Sequence, residues 1–125
     1  MRFFPLLALL ALPFVASGCL LVAAGGAAYG AIQYEKNEAY RDFESDLPDT
    51  WDATVAALEK LGYSVPENAG HTPTEGEIDI EDTNVRVERY PGDLTRVRVR
   101  IGTFDTESHR RRAQLLLEEI DLQLN

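Results

Sequence analysis

The chain of 125 residues has few of the side chains that bind metals or form crosslinks. It contains one cysteine, Cys19, and two histidines, His71 and His109. A single cysteine cannot form an intramolecular disulfide, and zinc sites need clusters of cysteine or histidine that are missing here. We therefore predict no metal site, no cofactor and a fold that is stabilised by packing alone.

Catalytic groups in a recognisable arrangement are also missing. A hydrolytic triad needs a serine, a histidine and a carboxylate brought together. Ser108 and His109 are neighbours in the sequence, so on a helix their side chains would point in different directions. The sequence predicts no catalytic residue, and we expect a protein that is not an enzyme.

Positive charge is scarce as well. The chain has 21 acidic residues against 12 lysines and arginines, which gives a net charge of −9. An acidic surface repels phosphate backbones, so we predict no nucleic-acid partner.

Charge of either sign is absent between Arg2 and Glu35. Arg2 supplies a short positive n-region, and residues 3–14 form an apolar stretch of the length found in signal peptides. The sequence Ala-Ser-Gly-Cys ends at Cys19 and resembles a bacterial lipobox, the signal that directs a lipid onto a cysteine thiol. We predict a lipoprotein signal peptide over residues 1–18 and lipidation of Cys19.

Two other interpretations of this stretch stay open. Residues 3–32 exceed the roughly 20 apolar residues that a membrane span requires, so they could remain as an uncleaved single-span anchor. Pro5 and Pro13 would disfavour such a helix. Alternatively, Cys19 is an ordinary buried thiol.

A lipid on Cys19 would attach the protein to a membrane of the bacterial cell envelope, because two or more acyl chains anchor a protein stably. Leu20 follows the cysteine, where an aspartate would commonly retain a lipoprotein at the inner membrane. In a cell with two membranes we therefore predict the outer membrane, facing the periplasm. Residues 19–36 would form a Gly/Ala-rich membrane-proximal tether, whose apolar part, residues 20–32, is too short to span a bilayer.

Residues 37–125 have the patterns of one small α+β domain. We predict two layers, an antiparallel sheet of three to four strands with two helices packed on one face, in the order β-α-β-β-β-α. Asp46 is typical of a helix N-cap and Gly62 of a helix end, and a last helix is expected from Asp105 or Thr106 to about Leu122. The apolar stripes of the two helices are Leu47, Trp51, Val55, Leu58 and Leu61, and then Ala113, Leu116, Leu117, Ile120 and Leu124.

Three segments in the second half of the domain alternate apolar and polar residues, which predicts strands of an antiparallel meander with one buried face. Residues 37–44 could be a first strand or the end of a helical tether, and residues 63–65 a further short strand. The side chains predicted to face the core are Ile78, Ile80, Val85, Val87, Val97, Val99 and Ile101.

Two groups of arginines are the candidate interaction surface, and an envelope protein is the expected partner. One group alternates along the last strand and the other lies on the last helix. The strand group is more simply explained as solvated charge that is neutralised across strands. The helix group could be an ordinary solvated face or could contact anionic headgroups. The six residues are Arg96, Arg98, Arg100, Arg110, Arg111 and Arg112.

The loop of residues 66–76, rich in proline, glycine and asparagine, supports an alternative function. A small envelope enzyme could have its site near this loop, around His71. That hypothesis requires a concave pocket in which His71 meets a carboxylate.

Two longer stretches, TWDATVAALEKLGY and VRVRIGTFDTESHRRRAQLLLEEI, are similar to an uncharacterised family of small bacterial lipoproteins. The resemblance covers nearly the whole chain and implies an envelope lipoprotein with an α+β domain. It implies no known activity and no functional site. The matching positions are Trp51, Ala53, Ala57, Leu61, Gly62, Ile101, Gly102, Phe104 and Ser108.

Overall fold

The computed structural model describes residues 31–103 and 105–125. The predicted signal peptide and Cys19 lie outside these residues. The elements in chain order are β1 Gln33–Glu35, β2 Glu38–Phe43, α1 Leu47–Lys60, β3 Glu75–Ile80, β4 Thr83–Tyr90, β5 Leu94–Ile101 and α2 Glu107–Leu124.

The five strands form one antiparallel sheet in the order β1-β2-β5-β4-β3. The predicted α+β class is confirmed, and so is the meander of β3, β4 and β5. The sheet has five strands instead of three to four, because the predicted first strand, β2, is preceded by β1. The three residues of β1 are all exposed, so no apolar alternation indicates this strand in the sequence. The sheet thus begins inside the range 19–36 that was predicted as tether.

The chain order places β5 at the centre of the sheet, between β2 and β4. Its inward side chains meet those of both neighbours, since Val99 is paired with Ala39 and with Val85. Helices α1 and α2 cover this one face, and their apolar stripes join the strands in a single core. The largest fully buried side chains of the core are Leu58, Ile78, Ile101, Leu116, Leu117, Ile120, Val85, Val87, Val97 and Val99.

Helix α1 begins as predicted at Asp46, whose carboxylate accepts a hydrogen bond from Asp49 N at 2.9 Å. It ends before Gly62, whose φ of +96° is the left-handed conformation that glycine adopts readily. The predicted stripe was wrong at Leu61, which is 41% exposed. Thr50, Ala53, Thr54 and Ala57 are buried on this helix instead.

Residues 63–65 are not a strand, in contrast to the prediction. Tyr63 and Val65 pack partly against the core from an irregular segment. Helix α2 begins at the N-cap Thr106, which accepts a hydrogen bond from His109 N at 3.1 Å, and the helix continues to Leu124.

Candidate interaction surface

The face of the sheet opposite the helices is lined by the outward side chains of all five strands. Register pairs Asp42 with Arg96 across β2 and β5, and Arg96 with Glu88 across β5 and β4. Rows of opposite charge across neighbouring strands stabilise a sheet modestly and help to fix its register. We call this surface the outer face; its central members are Glu38, Tyr40, Asp42, Asn84, Arg86, Glu88, Tyr90, Arg96, Arg98 and Arg100.

Arg96 is held rigidly at the middle of the outer face. Its guanidinium donates two hydrogen bonds to the carboxylate of Asp42, at 2.7 and 3.1 Å. It also lies against two tyrosine rings, 4.3 Å from the centroid of Tyr40 and 3.9 Å from that of Tyr90. The hydrogen bonds that Arg96 donates to Asp42 raise the pKa of Arg96 above its ordinary value. Arg96 is therefore a structural cation.

Arg98 is engaged by several weaker contacts. It donates a hydrogen bond to the hydroxyl of Tyr90 at 2.9 Å and lies 3.6 Å from carboxylate oxygens of Glu38 and Glu88. Burial lowers the pKa of Arg98, but the hydrogen bond that it donates to Tyr90 and the nearby negative charges outweigh burial, so the pKa of Arg98 is raised.

Arg100 and Arg86 are the accessible cations of this face. Arg100 is exposed, and within the described part of the chain it forms no ion pair. Arg86 is 47% exposed and approaches Glu88 only at 3.7 Å. Of the three strand arginines predicted as an interaction surface, all lie on one face, but only Arg100 is available to a partner.

Acidic side chains border this face on both sides. Glu35 faces Glu38 across β1 and β2. On the opposite edge of the sheet, β3 contributes the exposed residues Glu75, Glu77 and Asp79. The outer face therefore has two accessible arginines, Arg86 and Arg100, between two acidic margins.

Tyr40 and the carboxylates of β2, Glu38 and Asp42, were not predicted as part of this surface. The sequence feature that could have indicated these residues is the alternation of apolar and polar residues along β2. Arg41 obscures this pattern, because a charged side chain occupies a position that faces inward. The guanidinium of Arg41 reaches Asp121 near the end of α2 at 3.4 Å and lies 5.3 Å from the centroid of Phe43.

The predicted arginine group on α2 does not form one basic patch. Arg110 donates two hydrogen bonds to Asp105, which raise its pKa, and Arg111 lies 3.4 Å from Glu107. These two guanidiniums are thus already paired with carboxylates.

Arg112, the third member of the group, ties α2 to the sheet. It donates hydrogen bonds to both carboxylate oxygens of Asp82, at 2.9 and 3.1 Å, and to the hydroxyl of Tyr63 at 2.8 Å. The hydrogen bonds that it donates to Asp82 and Tyr63 raise the pKa of Arg112.

The loop of residues 66–76 borders a groove of about 550 Å³. His71 is exposed at this groove, its Nδ1 lies 2.8 Å from the carbonyl oxygen of Thr72, and its ring lies 5.4 Å from that of Trp51. In the described part of the chain, His71 forms no hydrogen bond or ion pair with a carboxylate. The pairing that the enzyme hypothesis requires is therefore not observed.

Residues 31–103 and 105–125 contain neither a candidate metal site nor a candidate membrane-spanning helix. Within these ranges, no group of three or more His, Cys, Asp and Glu residues could hold a metal ion. Within the same ranges, no helix is both long enough and apolar enough to cross a membrane. The run of residues 3–32, on which the single-span alternative depends, lies almost wholly outside them.

These features define a small α+β protein with a helix-covered face and an open, charged face. The chain belongs to the family DUF3568, described as proteins of unknown function, whose model matches residues 3–121. No curated protein matches the chain. The predicted membership of an uncharacterised family is confirmed, and the lipoprotein character remains a prediction.

Proposed function

We propose that this protein is a non-enzymatic lipoprotein of the bacterial cell envelope. In this proposal Cys19 carries the lipid, residues 1–18 are removed, and the domain serves as a docking module at the membrane. In a two-membrane cell the anchor lies in the outer membrane and the domain faces the periplasm. The observation that carries the proposal is the charge-free run of residues 3–32, in which an apolar stretch leads to Ala-Ser-Gly-Cys.

The outer face supports a docking role. Its centre is pre-organised, because Arg96 is fixed by Asp42 and by the two tyrosine rings. Aromatic and arginine side chains held in place before binding lose little conformational entropy when a partner arrives. Arg100 and Arg86 retain free donors beside this centre, so the expected partner is an envelope protein that presents carboxylates to them.

Replacement of the cysteine tests the anchor. We expect Cys19→Ser to leave the membrane fraction and to lack the mass of the lipid, because no other residue in the lipobox can be acylated. Intact-mass analysis of the native protein is the direct measurement. A native protein that retains residues 1–18 and an unmodified thiol would contradict the proposal.

Charge reversal on the outer face tests the docking role. In cells that express the full-length protein with Cys19 intact, a partner is first identified by crosslinking. We expect Arg100→Glu and Arg86→Glu to reduce the crosslinked yield with that partner. The matched control is Arg89→Glu, which makes the same charge change at an exposed position of β4 that alternation places on the opposite face. Equal yields for all three variants would exclude the outer face as the docking site.

A further inference from the structure

Large apolar side chains exposed to solvent are concentrated beside one helix. In the described part of the chain, four such residues are exposed, and three of them are Tyr34 at 42%, Leu115 at 50% and Leu122 at 66%. Tyr34 contacts α2 directly, because its hydroxyl lies 3.4 Å from Gln114 Oε1 and its ring lies 5.4 Å from the guanidinium of Arg110.

Leu115 and Leu122 lie on the solvent side of α2. The two leucines are seven residues apart, a rotation about 20° short of two full helical turns. Their side chains therefore point in nearly the same direction, about 10.5 Å apart along the helix axis. The buried stripe of the same helix, which includes Leu116 and Leu117, points to the sheet. Helix α2 therefore has two apolar sides, and we call the exposed side, Leu115 and Leu122, the α2 ridge.

The chain enters the domain next to this helix. Ile32 packs partly against the core, and the strand that follows it, β1, pairs with β2 at the edge of the sheet. Residues 20–32, which precede β1, contain no charged side chain. A segment of this composition prefers a membrane interface to water, so a lipid on Cys19 would bring the β1 and α2 side of the domain to the bilayer.

We propose that the α2 ridge, together with Tyr34, rests on the phospholipid interface of the membrane that holds the anchor. This inference rests on the proposed function and adds an orientation to it. The outer face is on the other side of the two-layer domain, so the docking surface points away from the bilayer, where an envelope protein can reach it.

The charges around the ridge indicate an apolar contact. Arg111 and Glu118 lie on the same side of α2 as the two leucines, at spacings of four and three residues from Leu115. Arg111 is paired with Glu107 at 3.4 Å, and Gln114 donates a hydrogen bond to Glu118 at 2.9 Å. Among the described residues, the ridge therefore presents no unpaired cation to anionic headgroups. The occupant that fits is thus a zwitterionic phospholipid surface, bound without dependence on ionic strength.

A fluorescent label on an introduced cysteine tests the contact. The only native cysteine is Cys19, whose thiol the lipid consumes, so a new cysteine in the lipidated full-length protein can be labelled selectively. We choose Leu115→Cys and Leu122→Cys, each carrying a polarity-sensitive fluorophore, in phosphatidylcholine vesicles. The control position is Asp79→Cys, which is exposed on β3 at the far edge of the sheet.

We expect a blue shift of emission at positions 115 and 122 and no shift at position 79. In the labelled Leu122→Cys protein, Leu115→Asp should abolish the shift because a carboxylate is costly to bury, whereas Arg111→Gln should preserve it. Emission of Trp51 confirms that each variant is folded. The same shift in about 0.1 M and about 1 M salt would support an apolar contact.

Three results would overturn the inference: no shift at either leucine, an equal shift at position 79, or a shift that Arg111→Gln abolishes. Intact-mass analysis of the same samples separates the two proposals. Lipid on Cys19 without a shift at the leucines leaves the lipoprotein proposal standing and removes the orientation. Absence of lipid from Cys19 removes both.

Discussion

At the scale of single residues, Trp51 of α1 packs closely against Gly76 at the edge of the sheet. Gly76 is the second residue of β3. A β-carbon at this position would collide with the Trp51 ring and would lie 2.7 Å from Cβ of His71. The glycine thus lets α1 approach the edge of the sheet and lets the loop of residues 66–76 close over the indole. Only glycine fits this position without a rearrangement.

We expect Gly76→Ala to destabilise the fold by about 1–3 kcal/mol, the usual cost of an added methyl group in a well-packed core. The measurement is urea unfolding followed by emission of Trp51. The matched control is Gly70→Ala, because a β-carbon at Gly70 meets no atom within 4 Å. Similar unfolding midpoints for the two variants would contradict the packing argument.

The sequence could not indicate this contact. Trp51 was correctly placed on the inner stripe of its helix by spacing, and Gly76 stood at the end of a loop that contains three other glycine or proline residues, Pro66, Gly70 and Pro73. Nothing in a local pattern shows which strand residue an indole will reach, because the approach depends on how the helix and sheet are stacked. Cys19 is the opposite case, since its proposed role follows from neighbouring residues alone.

At the scale of elements, the strands of β3, β4 and β5 could be predicted because each alternates apolar and polar residues over several positions. The sequence was less informative about β1 and β2. Strand β1 is short and exposed, and β2 has Arg41 facing inward, where its charge meets Asp121 of α2. As a result, the pairing of β2 with β5 was not predicted, and with it the tyrosine and carboxylate that fix Arg96 were missed.

One ion pair joins the turn between β3 and β4 to α2. Asp82 accepts two hydrogen bonds from Arg112, and these lower the pKa of Asp82 below its ordinary value. A carboxylate whose pKa is lower in the folded state stabilises the fold fully above its unfolded pKa, about 3.9. That stabilisation is lost as the pH falls through the lower pKa of the folded state.

We therefore expect Asp82→Asn to be less stable than the parent protein at pH 7, and the difference to shrink as the pH is lowered below about 4. The side chain of Asp82 is 43% exposed, so solvent limits the difference at pH 7 to no more than about 1 kcal/mol. Urea unfolding at several pH values measures it. The control is Asp79→Asn, because Asp79 is exposed and forms no ion pair with any described residue.

A difference between Asp82→Asn and the parent that stays constant down to pH 3 would contradict this account. It would mean that the amide disturbs the turn itself, without a contribution from the charge of Asp82. An effect as large in Asp79→Asn would show that removal of any acidic charge has the same result.

At the scale of the whole molecule, negative charge exceeds what the ion pairs can neutralise. The chain has a net charge of −9, and within the described residues fewer than half of the 21 acidic side chains lie in an ion pair. Unpaired carboxylates are concentrated on the exposed side of α1 and along β3. Such an excess keeps a small domain soluble, but its self-repulsion destabilises the compact state.

We expect added salt to stabilise this protein. Raising NaCl from about 0.01 M to about 0.1 M shortens the Debye length from about 30 Å to about 10 Å, which screens repulsion between distant carboxylates more than it weakens contacts such as Asp42 with Arg96. The urea midpoint should therefore rise with salt over this range. Replacement of two unpaired acids, Asp49→Asn and Asp79→Asn, should reduce the rise because it removes part of the repulsion. A midpoint that falls with salt would instead mean that the ion pairs contribute more to stability than the excess charge costs.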